Sequence, residues 1–120
     1  MEAIMYQDKI TLCASSAYER KYYLNEDFSA LPQSIQDELK IMCVLFTEDI
    51  GGVLSLEFEE DGTLFFHVDC EEGDLLFDEI GSVLKIKQLQ EDKKELLESL
   101  ELYFKVFFLG EDAAALLENE

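Results

Sequence analysis

His67, Asp69 and Cys70 are the residues of this chain that lie closest to a catalytic grouping. Histidine carries protons near neutral pH. Beside a thiol and a carboxylate it can activate a nucleophile. His67 is the only histidine, and Asp69, two residues on, shares its face if the segment is a strand. The available thiols are Cys13 and Cys70, neither with the signature of a nucleophile family; Cys43 lies in an apolar run and reads as core, and one histidine with three scattered cysteines makes no zinc site. A surface histidine among carboxylates is the simpler reading.

The carboxylates invite a second chemistry, the binding of calcium or magnesium. Glu59-Glu60-Asp61-Gly62 lacks the alternating acids and the later glutamate of a calcium loop, and Glu71-Glu72-Gly73-Asp74 has no diagnostic spacing. Phosphate loops are missing: Gly51-Gly52 is not followed by Gly-Lys-Ser/Thr, and Gly81 stands alone. No catalytic residue, metal ligand or cofactor is assigned.

Charge is the stronger signal. The 120 residues carry a formal net charge of −19. Residues 1–50 set four cations against nine carboxylates, and residues 51–120 set five against nineteen. Between Lys40 and Lys85 there is no cation, yet there are twelve carboxylates. Nucleic acid and anionic membranes, both bound through Lys and Arg, are excluded as partners. A basic protein is the complementary one. Lys85, Lys87, Lys93 and Lys94 alternate with acids and read as a solvated helix face.

Three cysteines without close pairing point to free thiols in a reducing compartment. Met1-Glu2-Ala3-Ile4 lacks a basic leader, and no apolar run reaches the ~18 residues of a membrane span. A cytoplasmic protein is expected.

The elements that must position these groups follow from periodicity. Residues 9–14 alternate as a strand. In residues 15–25, Ser16 with Glu19 spells a helix-capping box, whereas Tyr22-Tyr23-Leu24 suits a strand; an antiparallel pair is favoured. Pro32 is placed as the first residue of a helix that carries Leu31, Ile35, Leu39, Met42, Phe46 and Ile50 at helical steps and ends at Gly51-Gly52. The apolar run Ile41–Phe46 predicts burial on more than one side. Residues 53–59 and 63–69 alternate around Asp61-Gly62, a hairpin turn. Leu54, Leu56 and Phe58 then face the core, while Ser55, Glu57 and Glu59 face an acidic, wet side.

Asp74 is a candidate cap for a helix running toward Leu109, with Gly81-Ser82 as a kink and Gln90–Glu95 as a solvated surface or a break. Glu101 and Lys105 form an i,i+4 pair in the favourable order, worth about 0.3 kcal/mol. Ile86, Leu89, Leu96, Leu100, Tyr103 and Phe107 fit a short heptad seam broken by Lys93, although core packing is the simpler reading of the aromatic cluster. The expected fold class is α+β: an antiparallel sheet of about four strands, order β-β-α-β-β-α, with a buried middle helix and a long C-terminal helix packed on one face. Residues 1–110 form one domain and 111–120 an acidic tail.

Three segments carry a resemblance: Leu12 to Phe28 (LCASSAYERKYYLNEDF), Val44-Leu45-Phe46-Thr47-Glu48, and Lys105-Val106-Phe107-Phe108-Leu109-Gly110-Glu111. They resemble a family of small acidic proteins of anaerobic Firmicutes, known only as a domain of unknown function. The resemblance covers most of the chain, implies a bacterial cytoplasmic protein, and carries over no catalytic residue.

Three functions compete. The first is a non-enzymatic interaction module that binds a basic protein through Glu57, Glu59, Glu60, Asp61, Asp69, Glu71 and Glu72. The second is a homodimeric structural or regulatory protein associating through the C-terminal helix. The third is a small cation-dependent or Cys/His enzyme.

Overall fold

The computed structural model describes residues 9–111. The elements in chain order are β1 (Ile10–Ser16), β2 (Lys21–Leu24), a 3-10 turn (Glu26–Phe28), α1 (Gln33–Ile50), β3 (Val53–Phe58), β4 (Leu64–Asp69), α2 (Glu79–Asp92) and α3 (Lys94–Phe107). The strands form one antiparallel sheet of order β2-β1-β3-β4. The expected α+β class and four-stranded antiparallel sheet are both present. The long C-terminal helical stretch, for which Gln90–Glu95 allowed either one helix or a break, is two helices that part at Lys93. The tail, apart from Glu111, falls outside the described residues.

Both readings of residues 15–25 hold a part of the answer. Tyr22 and Tyr23 lie in β2, paired with Ser15 and Ala14. The Ser16 hydroxyl accepts from the Glu19 amide (3.2 Å), but this capping contact closes the β1–β2 turn rather than starting a helix. In β1 the register shifts between Thr11 and Cys13. The extra residue, Leu12, lets Leu12 and Cys13 both be fully buried, which strict alternation forbids.

Pro32 is the N-cap of α1, so the helix begins at Gln33, one residue later than expected, and the Pro32 carbonyl accepts from the Ile35 and Gln36 amides. Leu39, Met42, Cys43, Phe46, Thr47 and Ile50 are buried. Ile41 and Leu45 are exposed, so α1 is buried along one side only, and the apolar run overstated its burial. At the far end Gly51, at φ 91°, donates to the Thr47 carbonyl and stops the helix.

Leu54, Leu56 and Phe58 turn inward as the alternation predicts. They meet an aromatic cluster in which Phe28 stacks on Phe58 and Phe108, and Phe58 stacks on Phe104 at 4.3 Å between ring centres. Asp78, not Asp74, caps α2: its carboxylate accepts from the Gly81 amide (2.9 Å). Gly81 does not kink the helix. A Cβ there would lie 2.2 Å from that carboxylate, so the missing side chain makes room for the cap. Lys93 reaches Glu38 on α1 (3.0 Å), and α3 turns back so that Leu96, Leu100 and Phe104 are buried.

Candidate functional site

The β3–β4 hairpin carries most of the acids marked by the sequence. Its turn is closed by Gly62 donating to the Glu59 carbonyl (2.8 Å) and Glu59 donating to the Thr63 carbonyl (2.8 Å). Gly62 sits at φ 94°, a conformation that suits glycine. The Asp61 carboxylate accepts from the Thr63 amide (2.9 Å), the first cause of a pKa held below the usual carboxylate value.

β4 is an edge strand. The Glu59–Thr63 bond fixes the antiparallel alternation, so Leu64, Phe66 and Val68 direct their backbone groups away from β3. The Leu64 amide is taken by the Glu101 carboxylate of α3 (2.8 Å). The outward groups of Phe66 and Val68 have no partner among the described residues. Glu101 is thus spent on the sheet edge, and Lys105 lies across the hairpin turn against Gly62. The i,i+4 pair expected between them is absent.

The seven marked carboxylates fall into two groups. Glu59, Glu60 and Asp61 occupy the hairpin tip, with Glu57 two residues inside it. Asp69, Glu71 and Glu72 lie at the opposite end of β4, about 17 Å away for a six-residue strand. Among the described residues the one ion pair is Lys93–Glu38, so none of the seven lies within 4.0 Å of a lysine or arginine.

The open face of the sheet differs from the wet, acidic face expected. By alternation it shows Glu57 and Asp69, but also Tyr23, Phe65 and His67. Lys9 stands over the Phe65 ring at 5.4 Å, and Glu57 is half-buried and accepts from the Ser55 hydroxyl (2.7 Å). Thiols and histidine do not assemble: His67 and Cys70 are exposed, whereas Cys13 and Cys43 are buried on the helix side. No group of three or more metal-ligating side chains occurs among the described residues.

Sequence reasoning missed Tyr18. From the β1–β2 turn its hydroxyl donates to the Asp74 carboxylate (2.5 Å) and accepts from the Glu71 amide (2.9 Å). Asp74 also accepts from the Leu76 amide (2.9 Å). The acidic segment after β4 is therefore pinned in place rather than loose. The partners lie 56 and 53 residues apart, and no local pattern joins them.

The bond from Tyr18 holds the Asp74 carboxyl below the usual range, and the same contact raises the Tyr18 phenol. With a lowered folded value, the contribution of the tie is complete at neutral pH. It is lost as pH falls through that folded value. Tyr18→Phe is expected to speed amide exchange at Glu71 roughly fivefold, the worth of one ordinary hydrogen bond. Unchanged exchange would show that the tie is not formed in solution.

A cleft of about 900 Å³ opens at the other edge, between α1 and the β1–β2 turn. Arg20, Lys21 and Lys40 border it, with Glu48 and Asp49. Arg20, at φ 55°, is the one non-glycine residue with positive φ among those described. Arg20, Lys21 and Lys40 thus lie toward β2, while Lys9 and Lys105 lie near β4, beside carboxylates that have no ion-pair partner within 4.0 Å among the described residues.

Fold and site together define a small α+β protein with an acidic, partly open edge strand. The chain belongs to the Family of unknown function (DUF6145), whose model matches residues 9–112. Comparison with curated proteins and with solved structures finds no match for it. No helix among the described residues is long and apolar enough to cross a membrane.

Proposed function

We propose that this protein is a non-enzymatic interaction module that takes a basic polypeptide segment along β4. One observation carries the reading: seven carboxylates flank or face an edge strand, and none is neutralised by a described lysine or arginine within 4.0 Å. The outward backbone groups of Phe66 and Val68 offer hydrogen bonds to an added strand. Lysines and arginines of that strand then meet Asp69, Glu71 and Glu72 at one end, and Glu59, Glu60 and Asp61 at the other. Three free cysteines suit a reducing compartment, and the working site is taken to be a bacterial cytoplasm.

The test is capture from native cytosol at low salt, followed by charge reversal. Glu59→Lys with Asp69→Lys and Glu71→Lys is expected to weaken capture of a single basic protein by tenfold or more. Reversal of Glu95 and Glu98 on α3 is expected to leave it unchanged. Capture should fade toward 0.5 M salt, where the screening length is only about 4 Å. Equal loss from both sets of reversals would make the charge merely solubilising.

Self-association is the second reading, and its surface shifts. Leu89, Leu96 and Leu100 of the heptad seam are buried within the protomer. Leu76, Ile80, Val83 and Leu84 are exposed and form the candidate contact. Light scattering that reports a monomer at every concentration would remove it.

A further inference from the structure

Two thiols meet where the sheet packs on α1. Cys13 on β1 and Cys43 on α1 are both fully buried, with their sulfurs 3.8 Å apart. The register shift in β1 turns Cys13 toward the helix, and helical spacing sets Cys43 one turn before Thr47 on the sheet-facing side. The Tyr22 hydroxyl faces Cys13. It is the one buried side-chain oxygen or nitrogen among the described residues without a hydrogen-bond partner. Thr47 and Ser15, joined at 2.9 Å, border the cleft beside the pair, so solvent lies one layer from the sulfurs.

We propose that Cys13 and Cys43 are a modification site, a dithiol that hydrogen peroxide closes to an intramolecular disulfide. The Cys13 sulfur attacks one peroxide oxygen. The O–O bond breaks, the thiol proton leaves with the departing hydroxide as water, and Cys13 becomes a sulfenic acid. The Cys43 sulfur then attacks the Cys13 sulfur. The S–S bond forms, the S–O bond breaks, and the departing hydroxide leaves with the Cys43 proton as a second water. Two thiols lose two electrons and one peroxide gains them.

The sulfurs must close from 3.8 Å to about 2.05 Å. The roles follow from the surroundings. The contact with the Cys43 sulfur, first among the causes, holds the Cys13 pKa below the ordinary thiol value despite burial. The shared bond and burial push Cys43 up. The more acidic sulfur is the first nucleophile.

Burial also selects the oxidant. A molecule the size of water reaches the pair through brief local opening, whereas glutathione disulfide does not. Cys70 is exposed and open to both.

The experiment treats the full-length protein with hydrogen peroxide, denatures it, alkylates free thiols and maps peptides by mass spectrometry. The expected result is a Cys13–Cys43 linked peptide, loss of two alkylatable thiols per chain, and recovery of both with dithiothreitol. The oxidised protein should also need more urea to unfold, since the link closes a 30-residue separation. Glutathione disulfide should modify Cys70 alone. In Cys43→Ser, a sulfenic-acid trap should label Cys13.

Repeating the peroxide treatment on Cys70→Ser, an exposed change, removes exchange through Cys70. If Cys43→Ser fails to fold, this variant and the natural chain still decide the question. Cys13 and Cys43 remaining alkylatable after peroxide, in either protein, would overturn the proposal. So would links that join two chains without the Cys13–Cys43 peptide.

Discussion

Replacing Phe28 with alanine is expected to cost about 3–5 kcal/mol of stability, the range for removing a buried aromatic ring. Phe28 is fully buried, and its ring centre lies 4.8 Å from Phe108, 5.6 Å from Phe58, 6.3 Å from Tyr103 and 6.5 Å from Phe104. It holds this place from a three-residue 3-10 turn, fixed by Asn25 through the Asp27 amide (3.0 Å) and the Thr11 carbonyl (2.8 Å). Phe58 on β3 and Phe104 on α3 flank the hole, and these rings cannot fill it without leaving their stacks. A domain of this size is stable by about 5–15 kcal/mol, so the loss takes a large share.

The comparison is Phe107→Ala. That ring is 70% exposed, and its removal is expected to cost under about 1 kcal/mol. Urea unfolding of the two variants checks the contrast. Equal losses would mean that the ring cluster does not form as described.

Gly52→Ala is the second large effect, and its cause is geometric. Gly52 follows α1 and opens β3 at φ 72°, a conformation that an alanine adopts at a cost of about 1–2 kcal/mol. The added Cβ would also lie 2.5 Å from the Asp69 carbonyl oxygen and 2.9 Å from the Phe77 ring. Backbone must move, and it is the end of β4 beside the acidic segment that moves. The Gly52 carbonyl also holds the Ala17 amide (2.9 Å), so the β1–β2 turn is drawn in.

The total expected loss is about 3 kcal/mol or more, the sum of strain and displaced packing. Gly73→Ala isolates the two terms. Gly73 has φ 82°, but no atom lies within 4 Å of its added Cβ. Its loss should be the strain alone, about 1–2 kcal/mol. A loss at Gly52 no larger than at Gly73 would refute the close approach. If strand β4 is the binding edge, Gly52→Ala also weakens capture of a basic partner, while Gly73→Ala leaves it nearer to normal.

The legible parts of the fold share one property: their signal repeats within a few residues. The hairpin of β3 and β4 shows period-two alternation around Asp61-Gly62, and α1 shows a long period near 3.6 closed by glycine. The C-terminal half was harder to read because a polar stretch on a helix surface looks the same as a break. Gln90–Glu95 is such a stretch. The break falls at Lys93, and its reach to Glu38 on α1 is invisible in the local pattern. Glu101 and Lys105 misled for a related reason. Their spacing fits a helical pair, but the backbone amide of Leu64 and the hairpin turn compete for them, and a surface pair is too weak to resist.

The marked carboxylates were likewise legible as charge and illegible as geometry. Their count and the missing cations are properties of composition. Their division between the two ends of β4 depends on how the hairpin is set at the sheet edge, and so does the openness of the strand between them.

By itself, the sequence determined the α+β class, the β3–β4 hairpin, the inward face of β3 and a field of one sign, because each rests on local periodicity or on a charge count. Only the tertiary structure decided that β2 and β4 take opposite edges, that Tyr18 pins Asp74 and Glu71, and that Phe28 is the hub of the rings. It alone brought Cys13 and Cys43 together. These contacts join residues about 30 to 80 positions apart, and no short-range pattern encodes them: they are set by how the sheet and helices close over one another to bury their apolar faces.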